Sequence, residues 1–164
     1  MVLEYKEVYM LLGSNLGDRE MMMQQAVERI EAEIGVISAR SACYETEPWG
    51  NTDQPPFINM AIAVRTLMPP LEVLETALNI ENSLGRKRLV RWGSRTIDID
   101  LIFYADDIIA IEDKLYIPHP EMQNRRFVLE PLAEIAADYI HPVLKKSIKE
   151  LLQSLTDITS VEKI

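Results

Sequence analysis

Residues 86–104 read RKRLVRWGSRTIDIDLIFY, and the second half of that stretch decides how the chain folds. From Thr96 to Tyr104 it is rich in the β-branched and aromatic residues that strands favour. Alternation puts Ile97, Ile99, Leu101 and Phe103 on one face and Asp98 and Asp100 on the other. A rise of roughly 3.3 Å per residue sets the two acids about 6–7 Å apart. This strand ends a series. Val8–Leu12 is a short apolar run stopped by Gly13-Ser14-Asn15, and Asp18 can cap a helix on which Met23, Val27, Ile30 and Ile34 form one stripe, ended by Gly35. Val36–Tyr44 reads as a second strand, Glu47–Pro56 as a loop with three prolines, and Phe57–Thr66 as a third strand. Pro69-Pro70 open a second helix, with Val73, Ala77, Ile80 and Leu84 as its stripe and Gly85 at its end.

The order strand, helix, strand, strand, helix, strand predicts an α+β, ferredoxin-like βαββαβ core with a mainly antiparallel sheet. A hairpin (Ile108–Ile111 with Lys114–Ile117), the Pro118-His119-Pro120 turn and helices near Arg126–Ala137 and Lys146–Leu155 follow. These additions are expected to cover the second sheet face and make three layers, α/β/α. No linker or internal repeat divides the chain, so residues 1–164 read as a single domain.

The chain has 26 acidic and 17 basic side chains, a formal charge of −9, and 48% apolar residues, which suits a globular domain rather than a disordered one. A lone Cys43 excludes an intrachain disulfide and a cysteine-based zinc site. No basic segment followed by an apolar stretch opens the sequence, and no apolar run is long enough to cross a bilayer, so the expectation is a cytoplasmic protein without a membrane partner. The acidic balance argues against nucleic acid. Taken as a whole-chain sum it also disfavours a nucleotide, but the charges are not evenly placed. Arg86, Lys87, Arg88, Arg91 and Arg95 lie within ten positions; outside them, 12 basic face 26 acidic side chains, and Arg125-Arg126 form a second basic pair.

Asp is among the residues that strands avoid, and two like charges on one face repel. An exposed strand edge accounts for Asp98 and Asp100 without function. So does Mg²⁺, which uses one or two carboxylates plus substrate phosphates. Arginines between Gly85 and Gly93 suit closure over phosphates. Acids and arginines together point to phosphoryl-type transfer from a nucleotide. There is no Walker A sequence: Gly13-Ser14-Asn15-Leu16-Gly17 follows a strand but lacks the lysine.

Arg91-Trp92-Gly93-Ser94-Arg95-Thr96-Ile97-Asp98-Ile99-Asp100-Leu101-Ile102 resembles the signature of the 6-hydroxymethyl-7,8-dihydropterin pyrophosphokinase family. Further blocks resemble that family in the same order: Gly13–Gly17, Tyr44–Pro48, Asp53–Asn59, Glu81–Arg86, and Pro118–Pro120 through Phe127. The resemblance covers about residues 5 to 140. It implies transfer of the β,γ-pyrophosphoryl group of ATP to the pterin hydroxymethyl oxygen, with release of AMP, in folate biosynthesis. By the same resemblance Asp98 and Asp100 hold two Mg²⁺ ions, and Arg86 and Arg95 are catalytic loop arginines. Glu81, Arg88, Trp92, Ile99, Lys114, His119 and Arg125 fall on the ATP side. Thr46, Pro48, Trp49, Asn59 and the aromatics Phe57 and Phe127 fall on the pterin side, where flat-ring stacking and a hydrogen-bonded polar edge are the expected chemistry. Partners are then small molecules, the chain acting as a monomer or weak dimer. Two rival readings are a non-catalytic ferredoxin-like ligand-binding domain and a Mg²⁺-dependent phosphohydrolase using the same acid pair.

Overall fold

Strand β1 (Lys6–Ser14) runs through the middle of the sheet, and five consecutive residues at its end are buried. The computed structural model describes residues 4–15, 18–46, 56–85, 97–157 and 159–164. On one side β1 pairs along its whole length with β4 (Phe57–Thr66), from Lys6 opposite Thr66 to Ser14 opposite Ile58. On the other it pairs with β5 (Asp98–Tyr104). Two short strands, β2 (Val36–Arg40) and β3 (Tyr44–Thr46), lie end to end along the far side of β4. Among the described residues every pairing in the sheet is antiparallel, and strand order β5-β1-β4-β2 is the ferredoxin-like plait expected from the sequence.

Helices cover both faces, which explains why β1 and β4 read as near-continuous apolar runs. Helices α1 (Arg19–Glu33) and α2 (Pro70–Gly85) supply Met23, Val27, Ile30, Val73, Ala77 and Ile80 to a core shared with Val8, Met10, Leu12 and Ile99. Asp18 caps α1 as expected, its carboxylate accepting from the Met21 N–H at 3.0 Å. On the opposite face, α3 (Arg126–Ala136) and α4 (Ile148–Gln153) place Val128, Leu129, Leu132, Ile148 and Leu151 against Leu11 and Ala61. The hairpin β6 (Ile109–Ile111) and β7 (Leu115–Ile117) forms a separate two-stranded sheet.

Three features depart from the sequence reading. Val36–Tyr44 is not one strand. At Ser41 the side chain joins the ladder, its Oγ accepting from the Ala61 N–H at 3.0 Å while its own N–H donates to the Ala61 carbonyl. The next N–H, at Ala42, turns away to donate to Glu134 on α3. Second, Phe103 does not share a face with Ile97, Ile99 and Leu101. Tyr9 pairs with Phe103 but Met10 with Leu101, so Ile102 is the extra residue of a bulge. A bulge breaks the alternation, and Ile102 and Phe103 both enter the α3–α4 core. There Phe103 meets Tyr139 with ring centroids 4.5 Å apart and His141 at 5.6 Å. Third, β8 (Val161–Lys163) was not anticipated; it pairs with β3 and forms the sheet's outer edge there.

Candidate active site

The bulge lies beyond the acids, so Asp98 and Asp100 keep their common face, the one covered by α3 and α4. Asp98 is half-buried and Asp100 exposed, with Ile99 buried between them. Strand β5 is an edge strand, whose outer backbone groups need partners. Glu81, near the end of α2, provides one: its Oε2 accepts from the Ile99 N–H at 2.6 Å. The carboxylate thereby ties the helix to the backbone between the two aspartates.

Beside this edge opens a cleft of about 320 Å³ whose walls include Glu81, Ile99, Asp100, Lys114, Tyr116 and His119. Five of these six were assigned to the acid pair or the ATP side from sequence, although they come from α2, β5 and the hairpin region. Tyr116 was missed. Its exposure beside buried Leu115 and Ile117 follows strand alternation, and Lys114 two positions earlier shares its side, so period-2 reading would have found it.

His119 is held by its backbone, the N–H donating to the Ile102 carbonyl at 3.0 Å. Its Nδ1 accepts from the Glu121 N–H at 3.3 Å. In the neutral ring the proton therefore sits on Nε2. Burial pulls the imidazole pKa below its ordinary value, Arg125 pushes the same way, and Asp100 and Glu121 oppose both. The result is a neutral donor at pH 7. Arg125, just before α3, places its guanidinium carbon 5.8 Å from the centre of the Phe127 ring, within cation–π reach. It links the basic side of the site to an aromatic expected against the pterin.

That second half of the site occupies the same sheet face. Row by row, Asp98 on β5 lies opposite Gly13 on β1, Gly13 opposite Asn59 on β4, and Asn59 opposite Tyr44 on β3; two pairs further along β4, on the same face, Phe57 lies opposite Thr46. Asn59 and Thr46 are each only 4% exposed, and the Asn59 Nδ2 donates to Thr46 Oγ1 at 3.2 Å. Phe57 and Phe127 are half-buried. Behind β3, the Tyr44 hydroxyl donates to Glu134 at 2.5 Å, and Lys163 of β8 reaches the same carboxylate at 3.4 Å. Burial would raise the Glu134 pKa, but bonds from Tyr44 and the Ala42 N–H, together with Lys163, hold it below the ordinary carboxylate value. Arg19 on α1 donates to Glu45 at 3.1 Å and to the Pro56 carbonyl at 2.8 Å, bracing the ends of β3 and β4. Arg86, Arg88, Trp92 and Arg95, and on the pterin side Pro48 and Trp49, lie outside the described residues.

The ferredoxin-like fold is shared with known proteins that are transferases of the phosphoryl class. Residues 9–137 match the family model described as 7,8-dihydro-6-hydroxymethylpterin-pyrophosphokinase (HPPK). The chain is 43% identical over 157 residues to a 2-amino-4-hydroxy-6-hydroxymethyldihydropteridine pyrophosphokinase of Methylorubrum extorquens, covering 95% of this chain and 97% of that protein. The enzyme of the same name from Bacillus subtilis is 48% identical over 128 residues, 77% of this chain and 76% of its own length. Among solved structures, wild-type Plasmodium falciparum HPPK-DHPS superposes with a TM-score of 0.75 at 17% identity, over 92% of this chain; this chain spans 44% of it. The chain belongs to the HPPK family. Its reaction is that family's, pyrophosphoryl transfer from ATP to hydroxymethyldihydropterin in folate biosynthesis.

Proposed function

We propose that Asp98 and Asp100 hold two Mg²⁺ ions between an ATP cleft and a pterin pocket, and that the residues grouped above by face divide the substrates between them. The observation that carries this reading is the row Asp98–Gly13–Asn59, which sets the acid pair and a buried amide on one sheet face, with the cleft at the β5 edge beside them. Among the described residues no three His, Cys, Asp or Glu side chains cluster into a self-contained metal cage. Paired carboxylates suit Mg²⁺, whose shell is completed by substrate phosphates and water. What bound Mg²⁺ supplies there is neutralisation of phosphate charge and polarisation of the transferring group.

The chain's own residues do the rest. Lys114, His119 and Arg125 bind and orient the triphosphate as donors, Ile99 lines the nucleotide side, and Glu81 fixes the strand that carries the acids. Arg86 and Arg95 meet the charge that develops as the pterin hydroxymethyl oxygen bonds the β-phosphorus and the bond to the α-phosphate oxygen breaks; AMP leaves and the hydroxyl proton is released. Arg88 and Trp92 close the nucleotide side. Phe57 and Phe127 stack on the pterin ring, while Asn59, Thr46 and the Pro48–Trp49 segment take its polar edge. We read residues 1–164 as one domain acting in the cytoplasm on small molecules, as a monomer or weak dimer, without nucleic acid or membrane. No helix among the described residues is long and apolar enough to cross a membrane.

Substitution tests the acid pair. Asp98→Ala and Asp100→Ala should each lower turnover by about 100-fold or more, the scale of removing a group that stabilises transition-state charge. Thermal unfolding should persist as one cooperative transition. Wild-type turnover in either variant contradicts the metal assignment.

A further inference from the structure

We infer that Gly13 is a positioning residue for the pterin, acting through the side chain of Asn59; the inference rests on the reading of Asn59 as a pterin contact. Gly13 pairs with Asn59 on one side and Asp98 on the other. A Cβ built on Gly13 would lie 2.8 Å from the Asn59 Oδ1, closer than a methyl group tolerates, while the next atoms, Asn59 Cγ and the Ile58 carbonyl oxygen, stand 3.9 Å away. The missing side chain at residue 13 is therefore a hollow for one atom, the amide oxygen of Asn59.

The other end of that amide is fixed as well, since Nδ2 donates to Thr46 Oγ1 at 3.2 Å and both side chains are buried. With Nδ2 bonded to Thr46 and Oδ1 seated in the space beside Gly13, the planar amide has one orientation. Oδ1 faces β1, Nδ2 faces β3, and the remaining N–H and the oxygen lone pairs have set directions. A heterocycle with an amide-like edge is recognised by donors and acceptors placed in advance, and a site of this kind loses affinity steeply when its polar groups are turned away. Gly13 does not touch the ligand in this account; it keeps the Asn59 amide in register with it.

The backbone at Gly13 does not lie in the left-handed region, so alanine is conformationally allowed there. Gly→Ala at such a position lowers the entropy of the unfolded chain. The amide of Asn59 is the group that yields, not the backbone. This separates the inference from a general packing role.

The test is a double-mutant cycle on the full chain, with steady-state kinetics for both substrates and thermal unfolding. Gly13→Ala should raise the KM for 6-hydroxymethyl-7,8-dihydropterin about tenfold or more, the scale of one buried hydrogen bond lost. The ATP KM should stay within about twofold and the chain should still unfold in one cooperative transition, with Tm lowered by a few degrees at most. Asn59→Ala should raise the pterin KM on its own, and adding Gly13→Ala to it should change that KM by less than about twofold. A wild-type pterin KM in Asn59→Ala removes the reading of Asn59 and this inference with it. A defective Asn59→Ala beside a normal Gly13→Ala overturns the inference alone. So does an equal effect of Gly13→Ala in both backgrounds, a parallel rise in the ATP KM, or loss of the folded state.

Discussion

At the scale of single residues, the site combines groups whose states are set by different neighbours. His119 is the clearest case. Its Nδ1 is taken by the Glu121 N–H and its pKa is lowered by burial, so it offers a single neutral donor, Nε2–H, near Asp100 and Arg125. A neutral donor can be imitated by an amide. His119→Gln should therefore retain more ATP affinity than His119→Ala, with the ATP KM raised about tenfold in the alanine variant and less in the glutamine variant. Equal KM values in the two variants would mean that the ring acts by shape or charge. These roles were only partly legible in the sequence. Asp98 and Asp100 stand out because strands avoid aspartate, and Asn59 because it interrupts an apolar strand. His119 between two prolines reads as a turn until the fold brings it to the β5 edge. Tyr116 is legible by alternation, two positions after Lys114.

At the scale of elements, the plait was legible because its helices and longer strands carry clean periodicities. The stripes Met23-Val27-Ile30-Ile34 and Val73-Ala77-Ile80-Leu84 predict which helical faces are buried, and all eight residues are buried except Leu84, which is half-buried. What escaped were features that depend on partners distant in sequence. The break between β2 and β3 needs the Ser41 hydroxyl opposite Ala61 and Glu134 opposite the Ala42 N–H. The β5 bulge needs the aromatic cluster of Tyr9, Tyr139 and His141 to receive Phe103. Strand β8 has only three residues and no marked pattern; its place is set by pairing with β3 and by the Lys163–Glu134 contact. Since β3 carries Thr46, β8 braces the side of the sheet proposed to take the pterin. Deleting residues 161–164 should raise the pterin KM several-fold more than the ATP KM. A proportionate change in both constants would mean that β8 contributes only to overall stability.

At the scale of the whole molecule, charge and pH act together. The net charge of −9 describes the chain poorly, because five basic residues fall within ten positions just before the acid pair. Stability should depend on pH through two histidines. His141 is 4% exposed, and its Nδ1 accepts N–H bonds from Val143 at 3.1 Å and Leu144 at 3.0 Å; burial depresses its pKa, as it does for His119. Both rings stay neutral in the folded chain at pH values where the unfolded chain takes up protons, below about 6.5. Their contribution is thus complete above that pH and is lost as pH falls through the depressed folded values. Urea midpoints should be constant from about pH 8 to 7 and fall from about 6.5 to 5, before the carboxylates protonate. The fall should be shallower in His141→Gln. Midpoints that stay level, or rise, between pH 6.5 and 5 would contradict the neutral-imidazole account.

The central claim is that this fold moves two phosphates at once from ATP to a pterin alcohol. The most direct measurement incubates the purified chain with ATP, Mg²⁺ and 6-hydroxymethyl-7,8-dihydropterin and separates the nucleotides produced. The account predicts AMP in equal amount to pterin pyrophosphate, and none when the pterin is left out. ADP or free phosphate as the main product, or nucleotide cleavage that does not need the pterin, would contradict it.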